Sequence, residues 1–165
     1  MEAEPGPDGV RRYETSLAEV CARLNHHRAR YVLVGASALQ LWGSTRATRD
    51  IDILIEPTVA NARRVLAGLA ETGFGFAKEW LAEEVAKRPV TIIGDSPRVD
   101  ILTVAWSVHY REASKEATVF TVETVKIPTA SIDHLIASKR TGRLQDAADI
   151  EVLEEIKRLR GGEAR

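Results

Sequence analysis

The sequence predicts an α+β domain, a small mixed β-sheet with helices packed on it, on three observations. Residues 31–69 read as strand, helix, strand, helix. Two apolar runs at 90–93 and 99–104 flank the turn-like Gly94-Asp95-Ser96-Pro97 and form a hairpin. Two helical patterns then close the chain, at 131–140 and 144–159.

The elements follow in order. Residues 1–9, acidic and rich in Pro and Gly, and the closing 161–165 lack apolar periodicity and predict flexible tails. Leu17, Val20, Cys21 and Leu24 recur at helical spacing, so a first amphipathic helix ends near Asn25-His26-His27-Arg28. Tyr31-Val32-Leu33-Val34 is a short buried strand running into Gly35-Ala36-Ser37, and Ala38, Leu41 and Trp42 mark a helix stopped at Gly43. A second strand covers 50–55, after which Thr58 caps a helix whose stripe is Ala62, Val65, Leu66 and Leu69. Residues 74–89 hold a short helix and 105–117 a helical piece, with short strands at 118–122 and 125–127. A chain of 165 residues has room for one domain, here 10–160, with its core at about 30–127 and its C-terminal helices at about 131–160.

Composition narrows the function. With 23 Lys and Arg against 24 Asp and Glu, the formal net charge is −1, so no global field recruits nucleic acid or an anionic membrane. The single cysteine, Cys21, lies on an apolar stripe and makes no internal disulfide, which fits a reducing compartment. No stretch reaches the roughly 18 apolar residues of a membrane helix, and the opening segment is unlike a secretory signal. A cytoplasmic, soluble protein without a membrane partner is expected.

The chemistry lies in acids placed among apolar residues. Asp50 and Asp52 are two apart in a run of Ile and Leu, and the two-residue period of a strand points both carboxylates to one face. Either their pKa values rise or a metal neutralises them, and oxygen ligands suit Mg²⁺. The alternative is a surface ion pair with Arg46 or Arg49. Asp100, inside Val99-Asp100-Ile101-Leu102, is a third acid that an adjacent strand can bring to the same cluster, and three acids can hold two divalent ions. Asp95 competes for this role, but its Gly-Asp-Ser-Pro context explains it as a turn residue.

Upstream, Gly35, Ala36 and Ser37 lie at a strand end and helix start, where a phosphate can approach backbone N–H groups and the Ser37 hydroxyl. Small residues also serve wherever a helix packs tightly on a sheet. Near the C-terminus, Lys139 follows Ile132, Leu135 and Ile136 on a core-facing stripe. It either snorkels to solvent or reaches an anion in a cleft. Arg143, Asp146 and Asp149 come next, the two acids at i and i+3, where they orient basic groups or merely solvate a surface. Of Trp42, Trp80 and Trp106, Trp42 is nearest the glycine turn and the best candidate to stack a base, although tryptophans are more often core. Adjacent His26 and His27 point about 100° apart on a helix and do not chelate one ion, and His109 and His134 have no visible ligand partner.

Together these residues resemble the minimal nucleotidyltransferase superfamily, with its polymerase-β-like fold: a hydrophobic residue, Gly-Gly or Gly-Ser, a spacer, Asp-x-Asp, and a later acid on a neighbouring strand. Val34-Gly35-Ala36-Ser37, Asp50-Ile51-Asp52 and Val99-Asp100-Ile101 stand in those places. The likeness is closest to the nucleotidyltransferase toxins of the AbiEii type. Gly35-Ala36-Ser37-Ala38-Leu39 is similar to their Gly-Gly-Thr-Ala-Leu, and the segment from Arg46 to Asp52 to their Arg-x-Thr-x-Asp-x-Asp. Lys139 and the segment from Gln145 to Asp149 resemble their late Lys and Lys-Asp-x-x-Asp. Ala36 replaces the second glycine or serine, Gln145 replaces a lysine, and the chain is short for that group.

The resemblance implies transfer of a nucleoside monophosphate from an NTP to an acceptor hydroxyl, with Asp50, Asp52 and Asp100 as catalytic metal ligands for Mg²⁺ or Mn²⁺. It implies nucleotide binding by Gly35, Ala36, Ser37, Arg46, Lys139 and Asp146. The acceptor is tRNA or other RNA, a protein or a small molecule. A toxin role, and a protein partner or second copy of the chain, are further implications. Two alternatives stand beside this one: a non-catalytic nucleotide-binding or antitoxin-like module on the same fold, and a metal nuclease.

Overall fold

Apolar runs interrupted by one acid each, at 51–55 and 99–102, form two interior strands of one six-stranded sheet. A computed structural model describes residues 7–163. Its elements run α1 (Pro7–His26), β1 (Tyr31–Val34), α2 (Gly35–Trp42), β2 (Ile51–Ile55), α3 (Val59–Ala70), a 3₁₀ turn (Phe76–Glu79) and α4 (Ala82–Lys87). There follow β3 (Val90–Ile93), β4 (Val99–Leu102), α5 (Tyr110–Lys115), β5 (Thr118–Val122), β6 (Val125–Thr129), α6 (Ile132–Ser138) and α7 (Leu144–Glu163). The architecture is α+β with a mixed sheet.

Across the sheet the strand order is β3-β4-β2-β1-β6-β5. The pairs β1·β2, β3·β4 and β5·β6 are antiparallel, whereas β2·β4 and β1·β6 are parallel. On β2 and β4 the alternation separates two faces. Ile51, Ile53, Val99 and Ile101 are buried in the main core, and Asp52 and Asp100 project from the opposite face. The core is closed by α1, whose Leu17, Val20, Cys21 and Leu24 are buried, packed against Ala62, Val65, Leu66 and Leu69 of α3. Each large apolar side chain so buried contributes roughly 1.5–3 kcal/mol. The two helices come closest at Gly68, where a Cβ would lie 3.1 Å from the Arg23 carbonyl oxygen. Burial pushes the Cys21 thiol up to about 12, so it stays protonated as apolar filler.

Short side chains and a glycine bound the helices, Thr58 and Gly43 as expected and Ser131 in addition. Thr58 Oγ1 accepts from the Asn61 N–H at 3.1 Å, and Ser131 Oγ from that of His134 at 3.1 Å. Gly43 closes α2 in the left-handed region.

Several boundaries differ. Residues 7–9 and 161–163, expected in tails, belong to α1 and α7, and 1–6 and 164–165 lie outside the described residues. Asp50 stands just before β2 rather than within it. The helical piece expected over 105–117 is only α5, because Ala105 and Val108 exchange two backbone hydrogen bonds in a tight turn. The last strand runs on to Thr129. Among the described residues, no helix is long and apolar enough to cross a membrane.

Candidate active site

Parallel pairing of β2 and β4 sets Asp52 opposite Asp100 in register, so two acids distant in sequence become side-by-side neighbours on one face of the sheet. Like charges so placed are unfavourable unless a cation joins them. Burial, followed by the charges of Asp100 and Asp50, pushes Asp52 up to about 6, with Lys139 acting in the opposite direction. Asp100 is engaged by Arg98, two residues earlier, whose Nε and Nη2 donate to its two oxygens at 2.9 and 3.2 Å. Arg98 was not foreseen. Its signal was available, because residues at i and i+2 of an extended segment share a face.

Gly35 makes room for Asp52. It adopts φ +68°, and a Cβ there would lie 2.0 Å from Asp52 Oδ2. The carboxylate therefore rests on the backbone at the start of α2, where the preceding residue, Val34, provides no side-chain cap. Uncapped N–H groups at this end of a helix favour an anion or a strong acceptor.

On the other side stands a mixed cluster from α6, α7 and the loops. Lys139 Nζ lies 3.0 Å from Asp149 Oδ2 and 3.6 Å from Asp146 Oδ1. Arg46 reaches Asp149 at 2.5 Å, and Arg143 Nε donates to Asp146 at 2.8 Å, with the Thr141 hydroxyl donating to the same Asp146 oxygen. Burial acts to raise both aspartates, but these donors and cations outweigh it and hold each carboxyl below its usual range.

Between the two groups lies a cavity of about 250 Å³. Its lining includes Gly35, Asp52, Asp100, Lys139 and Asp146, which the sequence singled out, and also Trp106. Other expected site residues lie elsewhere. Ser37 is fully buried and its hydroxyl donates to the Val34 carbonyl at 3.3 Å, so it is not offered to the cavity. Ala36, also buried, bears on the cavity only through the helix start. Arg46 lines a separate groove against α7 and touches the cluster through Asp149. Trp42 is a structural joint: its Nε1 donates to the Ala130 carbonyl at 2.9 Å, its ring meets Phe120 edge-on, and Arg160 lies over it. Trp80 is covered by Arg88. Asp50 is exposed at the N-terminal end of β2 and is felt by Asp52 through its charge.

The donor set can be tested against a hard cation. Among the described residues, no group of three or more His, Cys, Asp and Glu side chains has metal-site spacing. The two in-register carboxylates, one of them resisting ionisation, nevertheless fit Mg²⁺, which takes one or two carboxylates and fills its remaining positions with water and phosphate oxygens. No protein-family model matches the chain, and no curated protein is significantly similar to it.

Proposed function

We propose that the protein is a Mg²⁺-dependent nucleotidyltransferase of the polymerase-β-like fold, moving a nucleoside monophosphate from an NTP to an acceptor hydroxyl. One observation carries the reading: Asp52 and Asp100 stand in register beside a glycine that opens the uncapped start of a helix, in one cavity with Lys139. Paired acids demand a cation, and a helix start with a nearby lysine favours phosphate.

In this reading Asp52 and Asp100, with Asp50 at the strand entrance, hold the divalent ion, which when bound offsets the charge of the phosphate oxygens. The N–H groups beginning at Gly35 and the Lys139 ammonium orient the triphosphate. The acceptor oxygen bonds to the α-phosphorus, the bond from that phosphorus to the bridging oxygen breaks, and pyrophosphate leaves with the electron pair. Asp100 receives the acceptor proton on the oxygen that Arg98 releases. Asp146 and Asp149 act as positioning residues for Lys139. A cytoplasmic setting, a toxin role and an RNA, protein or small-molecule acceptor belong to the same proposal.

A second reading, nucleotide binding without transfer, is favoured by the Arg98 guanidinium on both oxygens of Asp100, a cation already seated at the acid pair. One experiment separates the two. Each of the four labelled NTPs is incubated with Mg²⁺, total RNA and lysate, in parallel with thermal melting. Transfer of label, lost by at least about a thousandfold in Asp52→Asn with Asp100→Asn, supports the enzyme, a loss equal to roughly 4 kcal/mol of barrier. A nucleotide-induced melting shift without transfer selects the binding module. Neither signal at saturating nucleotide overturns both.

A further inference from the structure

The cavity holding the acids has an apolar wall that phosphate chemistry does not use. On β4, Leu102 lies two residues beyond Asp100 and on the same face, roughly 7 Å farther along the strand. Val90 is its register partner on β3 and is itself half-exposed. Beyond the strand end comes the tight turn closed by Ala105 N–H to the Val108 carbonyl at 2.8 Å and Val108 N–H to the Ala105 carbonyl at 3.0 Å. Trp106 occupies the first of its two central positions. Leu102, Val90, Ala105 and Trp106 line the same cavity as Gly35, Asp52 and Lys139.

Trp106 is unusual in two independent ways. Its φ is +58°, and the first central position of a two-residue turn with positive φ is ordinarily a glycine's, because a side chain there crowds its own backbone. For a bulky residue this is an outlier, of the kind that persists at ligand-binding places. The residue is also 62% exposed, whereas Trp42 and Trp80 are packed beneath arginines. A large aromatic in a glycine's place, open to solvent and beside charged groups, contributes little to folding. It presents a flat apolar face toward a cavity.

We infer that Trp106, with Leu102 and Val90, is the shelf on which the nucleobase of the bound nucleotide stacks while its phosphates lie at Gly35 and Lys139. This rests on the nucleotide reading and adds to it the place and chemistry of base binding. The separation along β4 between acid and shelf is of the order that a ribose spans. Stacking on an indole is tolerant of base identity, because every base has a π-face, so the shelf supplies affinity without strict base choice.

The test compares ATP with inorganic tripolyphosphate, each with Mg²⁺, by calorimetric titration of the full chain. The wild type is expected to bind ATP more tightly than tripolyphosphate. Trp106→Ala is expected to weaken ATP about tenfold and leave tripolyphosphate unchanged, and Trp106→Phe to recover most of the loss. Trp106→Gly, which gives the turn its favoured residue, is expected to melt no lower than the wild type and to lose ATP affinity as Trp106→Ala does, separating binding from folding. Unchanged ATP affinity in Trp106→Ala, or an equal loss for both ligands, overturns the shelf alone. Wild-type protein that binds neither ligand overturns the shelf together with the nucleotide reading.

Discussion

Two pairs of aspartates, of which Asp52, Asp100 and Asp146 line one cavity and Asp149 the neighbouring groove, experience opposite electrostatics. Asp146 and Asp149 are surrounded by Lys139, Arg46, Arg143 and the Thr141 hydroxyl, and their acidity is strengthened. Asp52 sits against another carboxylate on the sheet, and its acidity is weakened to about 6. Burial acts to raise all three and is the largest cause at Asp52, where the neighbouring carboxylates add to it, whereas at Asp146 and Asp149 donors and cations outweigh it. The first pair is complete as folded and holds α6, α7 and the loop around Arg46 together. The second is left with a charge deficit that a ligand can fill, which is the more usual condition of a working site.

The contrast can be broken most severely on the satisfied side. Asp149→Ala removes the partner that Lys139 and Arg46 share and leaves Lys139 only the more distant Asp146 at 3.6 Å. It is expected to lower unfolding stability by about 2–3 kcal/mol in urea titration, because a largely buried cation loses its closest counter-charge. A loss no larger than that of an exposed substitution would mean that the cluster is not a brace.

On the other side the sign reverses. The folded-state pKa of Asp52 is raised above its unfolded value, so the folded protein binds more protons and stability falls as pH climbs from about 4 through about 6. Asp52→Asn removes that fall. It is expected to be about 2 kcal/mol more stable than the wild type near pH 8, after allowance for solvent, with the gain vanishing near pH 4. By the same reasoning Mg²⁺ is expected to raise the melting temperature of the wild type more near pH 8 than near pH 5 and to leave Asp52→Asn almost unmoved. Parallel pH profiles for the two proteins would remove the distinction between the pairs.

The smallest effect belongs to Arg98. As a half-exposed guanidinium competing for Asp100, its replacement in Arg98→Gln is expected to tighten Mg²⁺ binding about two- to fivefold in titration calorimetry. Weaker binding would assign Arg98 to ligand attraction instead.

Much of this contrast was legible in the residues. A charge inside an apolar strand is out of place, and Asp52 and Asp100 are where that signal pointed. Thr58 and Gly43 acted through local backbone hydrogen bonds, which depend on a few neighbouring positions, and so did the turn between β3 and β4. Orientation within a helix start was less accessible. Whether Ser37 points to the cavity or the core depends on where α2 lies against the sheet, and the hydroxyl turned inward. Trp42 turned away for a related reason, since nearness in sequence to the glycine turn says nothing of which side of β5 a long side chain reaches. Arg46, expected from the likeness of its segment, lines the groove against α7 and meets the cluster through Asp149. Trp106 became recognisable only once the turn geometry gave its backbone angle.

The contact between Gly35 and Asp52 makes the two positions interdependent. With a Cβ at 35 only 2.0 Å from the Asp52 carboxylate, and with φ at +68°, an alanine there conflicts with both its own backbone and its neighbour. Shortening residue 52 to alanine eases the second conflict, leaving its Cβ 3.0 Å away, and does nothing for the first. Mutational tolerance at 35 is thus capped by local chain geometry and then reduced further by the identity of residue 52, a form of epistasis in which a deleterious change at one site lessens, without cancelling, the harm of a change at the other.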